Sequence, residues 1–321
     1  MMTLRMFGDK MRDKIAALMG EKYEVRLETV IKNNDTEMLG IRVTARNRNI
    51  SPTIYLDVFY REYIDGKTMA EIAEEMVSAL RNGMPKGKLD LSFFTDFEVV
   101  KEKICYKLIS AERNHKLLQE IPYIPLLDLA ICFYYPIENE EIGKGSILIH
   151  NSHLELWRAS VQDLWKAADQ NTSRLYPAEC FSMERIMMEM VGLRSPEERT
   201  GELPEENGLP MHVLTNRERL YGAAVILYDH YLERIAEVLK SSFYLMPCSI
   251  HEVILLPKRR GDDSERLREI VEEVNDVQVE SQEVLSDSVY YYDRKKKRLC
   301  LLSGEQGREE VISEGANNRN L

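Results

Sequence analysis

From Tyr23 the chain alternates strictly: Tyr23, Val25, Leu27, Thr29 and Ile31 are separated by polar or charged residues, and Leu39, Ile41 and Val43 repeat the pattern after Asn33-Asn34-Asp35. A period of two puts one set of side chains on one face of a strand. An Asn/Asp turn between two such runs folds the second back along the first. The predicted element is a hairpin, which is antiparallel because its strands are joined end to end. ISPTIYL (50–56) adds a third strand.

Helical signals flank these strands. Residues 4–19 read as a short helix, and Thr68-Met-Ala-Glu71 has capping-box spacing, followed by the apolar face Met69, Ile72, Ala73, Met76, Val77 and Leu80. Thr95-Asp-Phe-Glu98 repeats that start signal, with Phe97, Val100, Ile104, Cys105 and Leu108 behind it. At residue 119 the texture changes: IPYIPLLDLAICFYYPI reads as one buried strand, and GSILIHN as its partner across a Gly turn. A helix over 153–169 carries Leu154, Trp157, Val161, Leu164 and Ala168, and a shorter one begins near Ser182. MHVLTN, LYGAAVILY, FYLMP and EVILLP read as strands, with helices through Leu232–Leu239 and Leu267–Val274. SVYYYD and RLCLL form a closing hairpin in which Tyr291 faces opposite Tyr290 and Tyr292.

Strands and helices are mixed without a βαβα rhythm. The expected class is therefore α+β, with mixed or antiparallel sheets, packed helices and two subdomains. The expected boundaries are 1–118 for an N-terminal subdomain and 119–302 for a C-terminal one. A charged loop is expected at 194–210 and a disordered tail at 303–321.

Composition narrows the function classes. The 43 basic residues are outnumbered by 54 acidic ones, for a net charge of −11, which opposes phosphate-backbone binding and argues against a nucleic-acid partner. The basic runs Lys258-Arg259-Arg260 and Arg294–Arg298 read as solvated turns. No apolar run is long enough to cross a bilayer, and the charged N-terminal segment lacks a signal-peptide core, so the expectation is a cytoplasmic protein without a membrane partner. Five cysteines without a CxxC pair fit reduced thiols better than a disulfide framework or a zinc site.

The string ISPTIYL, SFFTDFE, LLDLAICFYY, IHNSHLELW, LWKAADQNT, PCSIHEVILLP and LSDSVYYYD resembles an uncharacterised bacterial family, a domain of unknown function, from about residue 5 to 302. The order of elements is also similar to a second uncharacterised bacterial family, through a Trp-bearing helix with an A-x-x-N ending before a strand–strand–helix–strand finish. Neither resemblance implies an activity, a cofactor or a catalytic residue.

Two clusters could carry chemistry. Ser249-Ile250-His251-Glu252 joins a hydroxyl, an imidazole and a carboxylate, with His251 as general acid/base and Ser249 and Glu252 as its catalytic neighbours. On a flat strand, however, Ser249 and His251 are roughly 6.6 Å apart, beyond the reach of a nucleophile–base pair. The competing reading is a polar junction whose groups bind backbone where two strands meet. His150-Asn151-Ser152-His153 with Glu155 could ligate a metal, but Ser152 is an equally good N-cap and no second His pair completes a cage, so no metal is assigned. Asn151, His153 and Asn216 are the candidate ligand-binding residues. Glycine-rich phosphate loops are absent: Gly143-Lys-Gly-Ser146 reads as a hairpin turn.

The expected role is a cytosolic, non-enzymatic binding or regulatory module without a cofactor, partnered by a protein or a small molecule. The alternative is a hydrolase-like enzyme centred on His251.

Overall fold

The computed structural model describes residues 2–45, 51–84, 92–139, 143–192, 201, 203, 211–259, 264–302 and 309–311. The charged loop 194–210 falls outside them except for Gly201 and Leu203, as does most of 303–321. The fold is α+β with antiparallel sheets, in two compact units. One comprises Met1–Asp96 with Pro136–Ile147, the other Phe97–Tyr135 with Leu148–Leu321.

The first unit opens with α1 (Leu4–Met19), where the Thr3 hydroxyl accepts the Met6 N–H at 3.3 Å as an N-cap. Strands β1 (Tyr23–Ile31), β2 (Glu37–Ala45) and β3 (Thr53–Tyr55) form one antiparallel sheet in that order. The turn between β1 and β2 carries Asn34 and Asp35 at positive φ, which these residue types tolerate. Register pairs Val25 with Val43, Leu27 with Ile41 and Thr29 with Leu39, so the two alternating patterns share a face. Helices α2 (Asp57–Ile64) and α3 (Met69–Gly83) follow, and the predicted Thr68–Glu71 capping box is present. Phe7, Met11 and Ile15 of α1 meet Ile41, Val43, Ile72, Met76 and Leu80 in a closed core. Each such burial stabilises by about 1.5–3 kcal/mol.

In the second unit the predicted helix after Thr95 stops after one turn, α4 (Phe97–Val100). Ile104 lies in the link, and Cys105 and Leu108 belong to a strand, β4 (Cys105–Ser110), which pairs with β6. That strand is buried on both faces, so its apolar run imitated a helical spacing. A short turn, α5 (Leu117–Glu120), precedes β5 (Tyr123–Leu126) and β6 (Leu129–Asn139). The single strand expected over 121–137 is thus a hairpin: Leu126 faces Leu129, and Leu127 turns the chain at φ +54 without a glycine to announce it. The end of β6 from Pro136 and strand β7 (Gly143–Leu148) as far as Ile147 belong to the first unit; β7 pairs with β6, placing Gly143–Ser146 in a strand and not in a turn.

The helix expected over 153–169 is two helices, α6 (Asn151–Trp157) and α7 (Val161–Leu175). Arg158 closes the first in the left-handed region, and a Ser160–Asp163 capping box opens the second. Then come β8 (Ala178–Ser182), which had no clear sequence signal, α8 (Met183–Met190) and β9 (His212–Asn216). The strand expected at LYGAAVILY is a 3₁₀ turn over Gly222–Leu227 that packs on β9 and β4. Helix α9 (Tyr231–Leu239), β10 (Phe243–Met246), β11 (Val253–Pro257), α10 (Ser264–Val277), β12 (Tyr290–Asp293), β13 (Arg298–Leu302) and β14 (Glu309–Val311) complete the order.

A seven-stranded antiparallel sheet runs β14-β13-β12-β10-β11-β9-β8. Helix α10 covers part of it, with Leu267 and Val271 against Tyr244, Met246, Cys248 and Val289. Tyr290 and Tyr292 are buried, while Tyr291 on the other face is half-buried with the Lys258 ammonium 4.5 Å from its ring centre.

Candidate functional site

Pro247–Glu252 joins two neighbouring antiparallel strands, β10 and β11, and is not itself regular strand. Its backbone is bound to residues 283–286. Ile250 N–H donates to the Glu283 carbonyl at 2.8 Å, Leu285 N–H to Cys248 at 3.0 Å, and Ser286 N–H to Pro247 at 3.1 Å. Ser249 faces Val284 across an isolated antiparallel bridge. The segment is therefore closed over by a third stretch of chain, which no local pattern could announce.

The side chains serve the same joint. Ser249 is 4% exposed, and its hydroxyl oxygen accepts the backbone N–H of His251 at 3.0 Å, a local turn bond and not a bond to the imidazole. His251 Nδ1 accepts the Tyr221 N–H at 3.2 Å. With Nδ1 accepting, the neutral ring carries its proton on Nε2, which lies 3.6 Å from Glu283 Oε1. The Tyr221 ring stacks on the imidazole at 5.8 Å and 12°, takes the Lys107 ammonium 4.4 Å from its centre, and meets the Tyr134 ring at 5.1 Å. Burial pushes the Glu252 carboxyl above its ordinary value; His251 and Arg219 oppose that rise and Glu283 adds to it.

The 3₁₀ turn locks onto this joint. Tyr221 sits at φ +53, a region that disfavours bulky side chains. Gly222 follows because there is no room for more: a Cβ would lie 2.1 Å from Thr215 Oγ1, 2.4 Å from the His251 carbonyl oxygen and 2.8 Å from Asn216 N. The Thr215 hydroxyl donates to that carbonyl at 2.7 Å, and Ala223 N–H donates to the Ile250 carbonyl at 3.3 Å. Asn216, 2% exposed, spends its amide on the 217–221 turn: Nδ2 donates to the Leu220 carbonyl at 2.7 Å and Oδ1 accepts the Leu220 N–H at 3.2 Å.

The fold thus brings Asn216, Ser249 and His251 together. His153 lies in the first turn of α6, and His150 immediately precedes the helix. His150, not Ser152, is the N-cap, and its N–H donates to His153 Nδ1 at 3.0 Å. His153 packs on Trp157, which packs on Phe97, and burial, with His150 beside it, holds its imidazole below the ordinary value. Asn151 Nδ2 donates to the Gln119 carbonyl at 3.2 Å. Among the described residues no group of three His, Cys, Asp or Glu could hold a metal ion, and no helix is long and apolar enough to cross a membrane.

Two polar clusters carry no signal in the sequence. Asp128, at the β5–β6 turn, accepts from the buried Ser286 hydroxyl at 2.5 Å and from the buried Tyr290 phenol. Asn275 Nδ2 reaches the Ser286 carbonyl at 2.9 Å and Asp287 at 2.8 Å. Burial, with the Asp128 carboxylate beside it, drives the Tyr290 phenol well above its ordinary value. In the second cluster Glu189 pairs with Arg185 at 2.9 Å and Arg219 at 3.2 Å, and both guanidiniums lie over Phe181. Arg185 and Glu189 are an i,i+4 pair on α8, but Arg219 in this cluster, and Asp128 with Ser286 and Tyr290 in the first, are brought in from distant sequence, and only contact could reveal them. All five cysteines are buried and none is in a disulfide; burial pushes the Cys105 and Cys132 thiols up to about 12 and Cys248 to about 11.

No curated protein and no solved structure matches this chain. A family model does, over residues 4–294, so the chain belongs to the family of unknown function DUF5688.

Proposed function

We propose that the protein is a non-enzymatic binding or regulatory module of the cytoplasm, acting on a protein or small-molecule partner and not on nucleic acid or a membrane. One observation carries this reading: the two groups that a hydrolytic centre would need are both engaged by backbone N–H groups. The Ser249 oxygen accepts from His251 N–H and the His251 acceptor nitrogen accepts from Tyr221 N–H. A general base needs a free lone pair within hydrogen-bond reach of the proton it removes. The net charge of −11 supports the exclusion of nucleic acid.

The hydrolase-like alternative has one observation in its favour: His251 Nε2 and Glu283 Oε1 stand 3.6 Å apart, with His251 22% exposed. His251→Ala separates the two. Under the binding reading the folded variant retains whatever small molecule or protein co-purifies with the full chain, as read by native mass spectrometry. Turnover of an ester or phosphoester by the unmodified protein, abolished in a folded His251→Ala variant, overturns it.

A further inference from the structure

Strand β1 is an edge of its sheet among the described residues, paired only with β2, and it is nine residues long. Long open edges invite another strand, and proteins blunt them with charge, proline or a cover. Here the residues facing the core are incompletely covered: Tyr23, Val25 and Leu27 are only partly buried, whereas Ile41 and Val43 on the neighbouring strand are fully enclosed. The outer face carries Glu24, Arg26 and Glu28, with Arg26 bound to Glu24, and Glu28 3.3 Å from Arg42.

Along that face the charges alternate in sign. Two copies of β1 laid antiparallel about a two-fold axis at Leu27 overlap over the whole of Tyr23–Ile31. In that register Arg26 stands opposite Glu28 of the second copy, and by symmetry Glu28 opposite Arg26. Val25 meets Thr29, and Tyr23 meets Ile31, which is 39% exposed in the single chain. Moving the axis to Arg26 sets Arg26 against itself and Glu24 against Glu28, and moving it to Glu28 sets Glu28 against itself. An axis at Val25 keeps opposite charges together but overlaps Tyr23–Leu27 alone. Unlike charges directly opposite favour a pairing and like charges disfavour it, so the Leu27 register wins on both overlap and charge.

We propose that the protein forms a two-fold dimer by antiparallel pairing of β1 with β1 of a second copy, in the register centred on Leu27. The sheet then continues as six strands, and each Arg26 gains a carboxylate across the axis. Such an interface is isologous and closes at two copies.

The test is a charge swap in the full chain, read by analytical ultracentrifugation with circular dichroism as the check on folding. The unmodified protein should sediment as a dimer at micromolar concentration. Arg26→Glu and Glu28→Arg each create two like-charge pairs per dimer and should raise the dissociation constant about tenfold or more. Arg26→Glu combined with Glu28→Arg should restore the dimer. A monomeric unmodified protein, a single variant that dimerises as tightly as the parent, or a double variant no tighter than the singles overturns the proposal. Hydrogen exchange of the unmodified chain gives a readout without substitution: protection of the Tyr23–Ile31 amides should rise with protein concentration, and protection independent of concentration overturns the register.

Discussion

Replacing Gly222 with alanine tests the reading of the Pro247–Glu252 joint most directly. The new methyl would stand 2.1 Å from Thr215 Oγ1, 2.4 Å from the His251 carbonyl oxygen and 2.8 Å from Asn216 N. The first is a side-chain atom, but the other two are backbone, held by β9 and by the bonds that tie 247–250 to 283–286. Relief requires the 3₁₀ turn to lift off β9. That movement sacrifices the Tyr221–His251 bond and the Ala223–Ile250 bond, and it unstacks Tyr221. Overpacking costs about 1–3 kcal/mol and each lost hydrogen bond about 1 kcal/mol, so Gly222→Ala should destabilise by about 2–4 kcal/mol. Urea unfolding followed by tryptophan fluorescence measures this as a lower midpoint with an unchanged slope. Adding Thr215→Ala removes the first obstruction and leaves the two backbone atoms, so it should not restore the parent midpoint. Gly222→Ala at parental stability, or full rescue by Thr215→Ala, would refute the close approach of these segments.

Two further perturbations probe the clusters outside the joint. Asp128→Ala leaves the Ser286 and Tyr290 hydroxyls, 3% and 1% exposed, without their carboxylate; the expected loss is about 2–4 kcal/mol in urea unfolding, and adding Tyr290→Phe should return part of it. The third prediction concerns acid. Burial alone would raise the Glu189 carboxyl, but the hydrogen bonds from Arg185 and Arg219 prevail and hold it below its ordinary 4.5. A depressed carboxyl contributes stability that is fully present above its unfolded value and is lost as pH falls through the folded one. Thermal melts should therefore show the parent's advantage over Glu189→Gln undiminished above about pH 4.5 and shrinking below it; an advantage unchanged by acid would remove the ion pair from the account.

The sequence by itself determined the elements whose signal is local. Alternation over Tyr23–Ile31 and Leu39–Val43 specifies a hairpin because side chains alternate across a strand whatever lies beyond it. Thr68 and Glu71 specify a helix start because both bonding partners lie within one turn. The α+β class, with mixed or antiparallel sheets, followed from the absence of a βαβα rhythm, and the sheets are antiparallel. Where a segment is buried on every side, the pattern loses its period: CYKLIS passed for a helix, and LYGAAVILY for a strand, because apolar residues on all faces carry no directional information. Hidden turns at Leu127 and Arg158 depended on non-glycine residues held at positive φ by their surroundings.

At the candidate site, composition could name Ser249, His251 and Asn216 but not their partners. What each polar atom does was decided only when the chain from Tyr221 and the chain from Glu283 closed over Pro247–Glu252, because a buried donor or acceptor takes the nearest backbone group that the packing supplies. Residue types set which chemistry was possible. Tertiary contact committed those groups to holding two strands together.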